Sequence, residues 1–464
     1  MGLKMSFGLS KRKTMSNQLM KFSTRRVLLF PFLLFSGILF AQEKRDSTKL
    51  PFAIADEKKL SDEDLKDKKE GVYVTGEPDF SSDPVNGFGY GAEGSIFFNG
   101  HRSDPFFAYT AYRARLDFVV FNTSKQQREF AFSLDVPFIF DTKWRLRASG
   151  AIERNPNLLY FGTTPNESLP GLSYYDSARG VQVNNASYST YEDNFLKGKN
   201  QFYNNYFKKE EILNISMEHN FMEGKLRALI GYEIAHLNMS SLQSNALIQQ
   251  DYNNGKLLGL KDSWVQIWQT GLIFDTRDLE PDPNQGIFAE ITNELSLKAL
   301  GSAFDFDKIY AHVNYYHKLF PGSIKRLIFA GRIAMGYTGL DAPFFEFQDQ
   351  WSPEGDIEGL GGPRTLRGYK QSRFLGRAMH FSNFELRWRF AQARWFKQHL
   401  EFSAVPFYDI GGVWNNFSEL NSQNLRYSRG GGLRIAWNES TILRFDYAVS
   451  KEDQQFFFNL AHAF

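Results

Sequence analysis

The chain has 464 residues, a formal net charge of +2 and no cysteine, so its composition predicts neither a nucleic-acid partner nor a disulfide framework or lipoprotein anchor. Phe, Tyr and Trp make up 16% of the residues, yet the mean hydropathy is only −0.41. Many aromatic rings in a chain of polar average are typical of strands that are apolar on one face only, as in a transmembrane barrel.

The first 41 residues are predicted to be a secretory signal peptide. Lys21, Arg25 and Arg26 precede a largely apolar run at 27–40, and Ala41 supplies a small residue before the charged residues that follow. That run is too short for a spanning helix, and no other stretch approaches 18 apolar residues. Residues 42–70 are dominated by Asp, Glu and Lys. We expect them to form a charged periplasmic segment, either disordered or a short helix.

From residue 71 onward, apolar and charged residues alternate along many segments. In 384–390, for example, large apolar side chains at the even positions alternate with Glu385, Arg387 and Arg389. A period of two predicts strands with one apolar and one polar face. A soluble sandwich with a wet outer face has the same period, so a single strand does not separate the two folds.

The number and spacing of the strands favour the barrel. We predict sixteen strands, at 72–80, 88–98, 106–121, 127–139, 142–155, 206–220, 224–239, 262–275, 286–299, 305–319, 325–339, 378–391, 399–411, 427–437, 440–449 and 454–464. Most are long enough to cross a bilayer at a tilt, and tight turns alternate with long loops, as in outer-membrane barrels. The predicted fold is therefore all-β, a 16-stranded antiparallel transmembrane β-barrel over residues 71–464.

A glycine-flanked loop stands out among these strands. Residues 361–369 read Gly-Gly-Pro-Arg-Thr-Leu-Arg-Gly-Tyr. Side-chain parity points Asp409 and Glu385, on the strands that follow, into the lumen. We expect the loop at 340–377 to fold inward, so that Arg367 can meet Asp409 and also Glu385 and act as a structural latch. The alternative is that Arg367 is a solvated loop residue.

The two ends of the strand series are predicted to meet at a weak seam. The first strand is short, and Gly76 and Pro78 interrupt its ladder. In the last strand four apolar residues share one face, which we expect to contact lipid: Phe456, Phe458, Leu460 and Phe464. A terminal aromatic residue on such a strand also resembles the recognition signal by which barrel proteins are delivered for assembly.

Four motifs in the C-terminal half resemble those of the BamA/TamA family of outer-membrane barrels, the bacterial surface antigen superfamily. Leu366, Arg367, Gly368 and Tyr369 resemble its Val/Ile-Arg-Gly-Phe/Tyr loop motif. The others are Phe-x-Asp-x-Gly at 407–411, Asp-x-Arg-Asp at 275–278 with its following Pro and Gly, and a glycine-rich penultimate strand at 430–434. The resemblance implies that the loop motif folds back into the lumen and that the strand with Asp409 receives it.

Members of that family carry periplasmic polypeptide-transport-associated (POTRA) modules ahead of the barrel. Residues 42–70 contain too few apolar side chains to build one, so we expect a member that lacks POTRA modules. The resemblance implies a protein of the bacterial cell outer membrane that helps to assemble, insert or translocate outer-membrane or surface proteins, or lipids. Its expected partners are outer-membrane lipid and other subunits of a larger assembly complex, and its clients are not identified.

Other functional classes were weighed against this one. The sequence has no Gly-x-Ser-x-Gly, His-Glu-x-x-His or phosphate-binding glycine loop, so we predict no enzymatic activity, no catalytic residue, no metal and no cofactor. A surface protease or lipase built into the barrel is the enzymatic alternative. The main alternative is a passive channel or a structural, partner-binding barrel. An inward loop at 340–377 would plug much of such a channel, which favours the assembly role.

Overall fold

A computed structural model describes residues 49–83, 85–169, 171–176, 179–193, 202–321, 326–339, 341–395, 398–437 and 441–464. The predicted signal peptide at 1–41 lies outside the described residues. Among the described residues, no helix is both long enough and apolar enough to cross a membrane.

Sixteen strands form one antiparallel sheet in which every strand pairs with its neighbours along the chain. The sixteen are β1 Val72–Asp83, β2 Gly87–Phe98, β3 Ala114–Thr123, β4 Arg128–Val136, β5 Trp144–Leu159, β8 Asn205–Phe221, β9 Leu226–Ser241, β10 Asp262–Asp275, β11 Gly286–Ser296, β12 Phe306–Leu319, β13 Leu327–Thr338, β14 Ala378–Trp395, β15 Gln398–Trp414, β16 Arg426–Trp437, β17 Thr441–Ser450 and β18 Gln454–Leu460. The predicted all-β fold and its sixteen strands are confirmed.

The remaining elements lie outside the barrel wall. A separate hairpin, β6 Leu172–Asp176 with β7 Val181–Ala186, belongs to the long connection between β5 and β8. Among the described residues there are also four short α-helices, in addition to short 3-10 turns: α1 Asp62–Asp67, α2 Pro165–Ser168, α3 Tyr188–Tyr191 and α4 Leu247–Asn253.

The period of two in the sequence becomes an inner and an outer face of the sheet. On β12, Lys308 and His312 are buried in the lumen, while Ile309 and Val313 are exposed on the outside. The sheet curls until β1 reaches β17, where the hydroxyl of Thr75 lies 2.9 Å from that of Thr441. The result is a β-barrel with an apolar outer belt and a polar, largely filled interior.

Connections at the two ends of the barrel differ in length. The long ones, between β5 and β8, β9 and β10, β13 and β14, and β15 and β16, share one end, which we call the loop end. The other end, which we call the turn end, carries the connections between β4 and β5, β8 and β9, and β10 and β11, together with residues 49–70 before β1.

Several strand boundaries differ from the predicted ones, and the differences at the third, last and first strands bear on the function. The third strand begins at Ala114 rather than at 106, because a 3-10 turn at Pro105–Ala108 precedes it and Asp104 caps that turn. The last strand ends at Leu460, since Ala461 adopts a left-handed φ of +64° and turns the chain inward. The first strand is not short: β1 has 12 residues and pairs with β2 without a register shift, whereas β18 has only 7.

Two segments fill the barrel. The inner loop, residues 341–377, enters from the loop end, and its buried side chains Leu360, Leu366, Tyr369 and Phe374 pack against the wall at Met379, Phe381 and Val413. The strap, residues 49–70, contains α1 and lies across the turn end. The charged composition of residues 42–70 predicts either disorder or a short helix. The described part of this segment is folded onto the barrel.

Candidate functional site

The lumen contains a buried ion cluster centred on Arg367 of the inner loop. Arg367 is 0% exposed, and its Nε and Nη2 donate to the two carboxylate oxygens of Asp409 at 2.9 and 2.7 Å. Its Nη1 donates to Glu385 at 2.6 Å and to Asp446 at 3.4 Å. The structure thus brings Arg367 together with both acids that parity placed in the lumen, and adds Asp446 from β17.

Further contacts hold Arg367 and Asp409 in place. The Arg367 guanidinium lies 3.5 Å from the ring centroid of Phe407, a cation–π contact. Asp409 also accepts from Asn383 at 2.8 Å and from Ser428 at 3.2 Å. Burial alone would lower the pKa of Arg367, but the carboxylates of Asp409 and Glu385 outweigh it and raise that pKa above its ordinary value. The guanidinium therefore stays charged in the lumen.

Glycines allow the loop to approach the wall this closely. A Cβ at Gly368 would lie 2.8 Å from the Cβ atoms of Ser428 and Ser450, closer than real Cβ contacts allow. On the wall, a Cβ at Gly430 would lie 2.5 Å from the ring of Phe407. Tyr369, which follows Gly368, is 2% exposed, and its ring lies 5.1 Å from that of Phe374. The predicted motif residues 367–369 thus form one docked unit; that this unit latches the barrel stays a prediction.

A second ion cluster lies deeper, towards the turn end, and holds Glu354 of the inner loop. The Glu354 carboxylate lies 2.6 Å from Arg147 Nη2 and 3.4 Å from Arg277 Nη2. Burial alone would raise the pKa of Glu354, but the guanidinium groups of Arg147 and Arg277 outweigh it and hold that pKa well below its usual range. The inner loop is therefore tied to the wall at two depths.

The Asp-x-Arg-Asp motif links this second cluster to the strap. Asp275, which is fully buried, accepts from Nε and Nη2 of Arg277, each at 3.1 Å. Lys58 of the strap places its Nζ 3.1 Å from Asp275 as well. Burial lowers the pKa of the Lys58 ammonium, and Asp275 offsets part of that effect. The motif thus joins the inner loop, the β10–β11 turn and the strap in one network.

Sequence reasoning missed Glu354 and Lys58. Both lie in irregular segments, where no period of two fixes the direction of a side chain. Asp275 and Arg277 were singled out as a motif, without the partners that the fold brings to them. An acid in a loop expected to fold inward was the only signal for Glu354.

At the seam, the structure corrects one residue of the predicted lipid-facing set. Phe456 is 66% exposed on the outside, and the ring of Phe458 stacks on Phe445 at 4.5 Å. Leu460 ends β18 opposite Leu443. Phe464 does not share their face: its ring lies 6.5 Å from that of Tyr316 and 4.9 Å from the Arg332 guanidinium, inside the barrel. The turn at Ala461 reverses the parity on which the prediction rested.

The inward turn is fixed by contacts with a distant connection. His462 Nε2 lies 2.9 Å from Asp282 of the β10–β11 connection, and Ala463 is fully buried. Burial and the neighbouring Arg387 lower the pKa of His462 to about 4, so the ring is neutral at pH 7. Among the described residues, no backbone pairing joins β1 to β18. The wall is therefore weakest where β18 ends early.

Two family models match the chain. The Omp85 superfamily domain matches residues 119–464, and a domain of unknown function (DUF5982) matches residues 50–113, which include most of the strap. A search of curated proteins found no match.

The chain is similar to several solved structures at low sequence identity. CdiB from Escherichia coli is 11% identical with a TM-score of 0.51, over 84% of this chain and 62% of that one. BamA from Haemophilus ducreyi lacking POTRA domains 1-3 is 13% identical with a TM-score of 0.47, over 85% and 70%. CdiB from Acinetobacter baumannii is 12% identical with a TM-score of 0.44, over 86% and 66%. The chain thus spans less than two thirds of either CdiB chain.

Proposed function

Because this chain belongs to the Omp85 superfamily, whose barrels BamA and CdiB serve protein insertion or secretion, we propose that it helps to assemble, insert or translocate outer-membrane or surface proteins, or lipids. It is an outer-membrane β-barrel. We further propose that the turn end, with the strap, faces the periplasm and the loop end faces outward, since long loops of such barrels are extracellular.

The observation that carries the proposal is the combination of a filled lumen and a weak seam. Arg367 and Glu354 hold the inner loop across the lumen at two depths, and the strap covers the turn end. Beside this closed interior, β18 has only 7 residues and no described pairing joins it to β1. The filled lumen obstructs flow along the barrel axis, whereas the wall between β1 and β18 lacks backbone hydrogen bonds among the described residues. This combination favours sideways passage between β1 and β18 over flow through the lumen.

A larger complex fits this role, because superfamily barrels typically work with partner proteins. We propose that the chain acts together with other subunits of an outer-membrane assembly complex. That the chain is not an enzyme and requires no cofactor stays a prediction. Among the described residues, no group of three or more His, Asp and Glu side chains is arranged to hold a metal ion.

Conductance across a planar bilayer separates this role from that of a passive channel. We expect the wild-type protein to conduct close to the bilayer baseline, because the inner loop and the strap both obstruct the lumen. The Arg367→Ala variant is expected to conduct in bursts, because its inner loop loses its central anchor. Lys370→Ala, which removes a cation of the same loop that lies over the Tyr188 ring and in neither ion cluster, is the matched control. Steady, large conductance of the wild-type protein would favour the channel instead.

A further inference from the structure

The strap binds the rim of the barrel at the turn end through main-chain hydrogen bonds. The backbone amide of Ala55 donates to the carbonyl of Glu223 at 2.9 Å, and that of Leu60 donates to Ala108 at 2.9 Å. Glu223 belongs to the β8–β9 connection and Ala108 to the β2–β3 connection. The strap thus bridges two distant parts of the barrel rim through main-chain bonds on either side of a 3-10 turn at Asp56–Lys58, and such bonds do not depend on the side chains of the bound segment.

Two side chains of the strap enter formed subsites on the rim. The ring of Phe52 packs against those of Phe106 and Phe138, at 5.7 and 5.5 Å between centroids. Six residues later, the Lys58 ammonium pairs with Asp275, and the Lys58 side chain is only 11% exposed. The rim therefore offers an aromatic subsite and a buried carboxylate at a fixed spacing.

The receptor side does not depend on the strap for its shape. The Asp275 carboxylate accepts from Nε and Nη2 of Arg277 and lies 3.5 Å from Arg227, so it remains in place when Lys58 leaves. Phe106 and Phe138 also contact each other, with centroids 5.0 Å apart. Removing the strap would uncover these groups rather than dismantle them.

The strap itself is held lightly between its anchors. Its residues Pro51, Ala53, Asp56, Glu57 and Lys59 all face outward and are exposed. The pairing of Glu57 with Lys225 is at the surface, and exposed pairs of this kind add about 1 kcal/mol or less. Binding of residues 49–60 thus rests on the Phe52 ring, the buried Lys58 ion pair, the buried side chains of Ile54 and Leu60, and a few main-chain bonds.

We propose that residues 49–60 occupy, in cis, the site at which the turn end receives a client polypeptide. The polypeptide that fits has an aromatic residue followed six positions later by a lysine or arginine. This inference rests on the proposed function, because it names where a client chain first contacts the barrel. The tethered strap competes at an effective concentration of about 1 mM, so a client must offer additional contacts or be delivered by a partner.

The test uses the full-length protein and a synthetic, fluorescently labelled peptide of residues 49–60. In a Phe52→Ala/Lys58→Ala variant, which we call the released variant, the strap loses its aromatic and its cationic anchor while the receptor keeps all of its residues. We expect the peptide to bind this variant at least about tenfold more tightly than wild type, because the competitor in cis is weakened. A peptide that carries the same two substitutions should not compete. Phe52→Ala/Lys59→Ala, in which the exposed neighbour replaces Lys58, should give a smaller gain.

Fold and receptor are checked in the same series. Faster gel migration of the unheated than of the heated sample reports a folded barrel. Adding Phe138→Ala to the released variant should weaken peptide binding, because it removes one wall of the aromatic subsite. If the double variant does not fold, Lys58→Ala alone allows the same comparison with a smaller expected difference.

Equal binding to wild-type and released protein, or no binding to a folded released variant, would overturn the inference. The readout is independent of the proposed function. Peptide binding as expected, together with unchanged outer-membrane proteins on depletion, would retain this site and reject only the assembly role. Equal peptide binding to the two proteins, together with a fall in outer-membrane proteins on depletion, would reject only the site.

Discussion

Replacing Arg367 with alanine is expected to remove about 3–5 kcal/mol of folding free energy, the usual cost of breaking a buried ion pair. The guanidinium has no solvent exposure and joins Asp409, Glu385 and Asp446 at one point. Without it, Asp409 keeps only neutral donors, from Asn383 and Ser428. The buried carboxylates of Asp409, Glu385 and Asp446 then have less compensating positive charge. The inner loop also loses its anchor at mid-lumen.

This loss is measured as the temperature at which the unheated gel form converts to the unfolded form. Arg367→Ala should convert at a clearly lower temperature than wild type, and Arg367→Lys should fall between them, because an ammonium cannot bind Asp409 through two nitrogens. Exchange of the charges between positions 367 and 409 should restore part of the loss. Lys370→Ala should resemble wild type. A wild-type conversion temperature for Arg367→Ala would end the latch hypothesis.

Joining β1 to β17 by a disulfide is expected to abolish function while leaving the fold intact. The hydroxyl oxygens of Thr75 and Thr441 lie 2.9 Å apart, and both residues are buried. Cysteines at these two positions are therefore close enough to bridge, and the chain contains no other cysteine to compete. If clients pass sideways where β18 ends early, this bond closes the passage.

Growth of cells that depend on the Thr75→Cys/Thr441→Cys protein provides the measurement. Oxidised protein should fail to support the assembly of other barrels, and a reductant should restore it. The matched control is Ser133→Cys/Ser149→Cys, which joins directly opposed residues on the paired strands β4 and β5. That bond leaves the seam free and should have no effect. Full activity of the oxidised seam variant would point to the passive-channel alternative.

The strands and the inward target of Arg367 were predictable because strand geometry fixes side-chain direction. A period of two assigns each residue to a face, so Asp409 and Glu385 were placed in the lumen before any contact was known. The loop motif then supplied a cation close enough in sequence to reach them. Asp446 was not predicted as a third partner, because parity gives the face of β17 but not its distance from the loop.

Other features could not be read from the sequence, because distant residues determine them. The composition of residues 42–70 suggested disorder or a lone helix, but the strap needs no core of its own, since Phe106, Phe138 and Asp275 provide its contacts. Likewise, Phe464 was assigned to the lipid face by extending the strand. Ala461 turns the chain inward instead, and Asp282, 180 positions from His462, holds it there.

The two ion clusters give the inner loop a role beyond obstruction. Arg367 ties it to β14, β15 and β17, close to the seam, while Glu354 ties it to the turn that binds the strap through Asp275. One loop thus contacts both the proposed exit and the proposed entry of the barrel. Displacement of the strap removes a cation from the second cluster, which leaves Arg277 and Arg227 to neutralise Asp275 and weakens their hold on Glu354.

Depletion of the protein, followed by quantification of outer-membrane proteins and lipids, tests the central claim most directly. We expect a broad fall in the amounts of other barrel or surface proteins, or a change in outer-membrane lipid, before growth stops. Wild-type protein supplied in trans should reverse the change, and the oxidised seam variant should not. An outer membrane of unchanged protein and lipid composition after depletion would contradict a role in assembly, insertion or translocation.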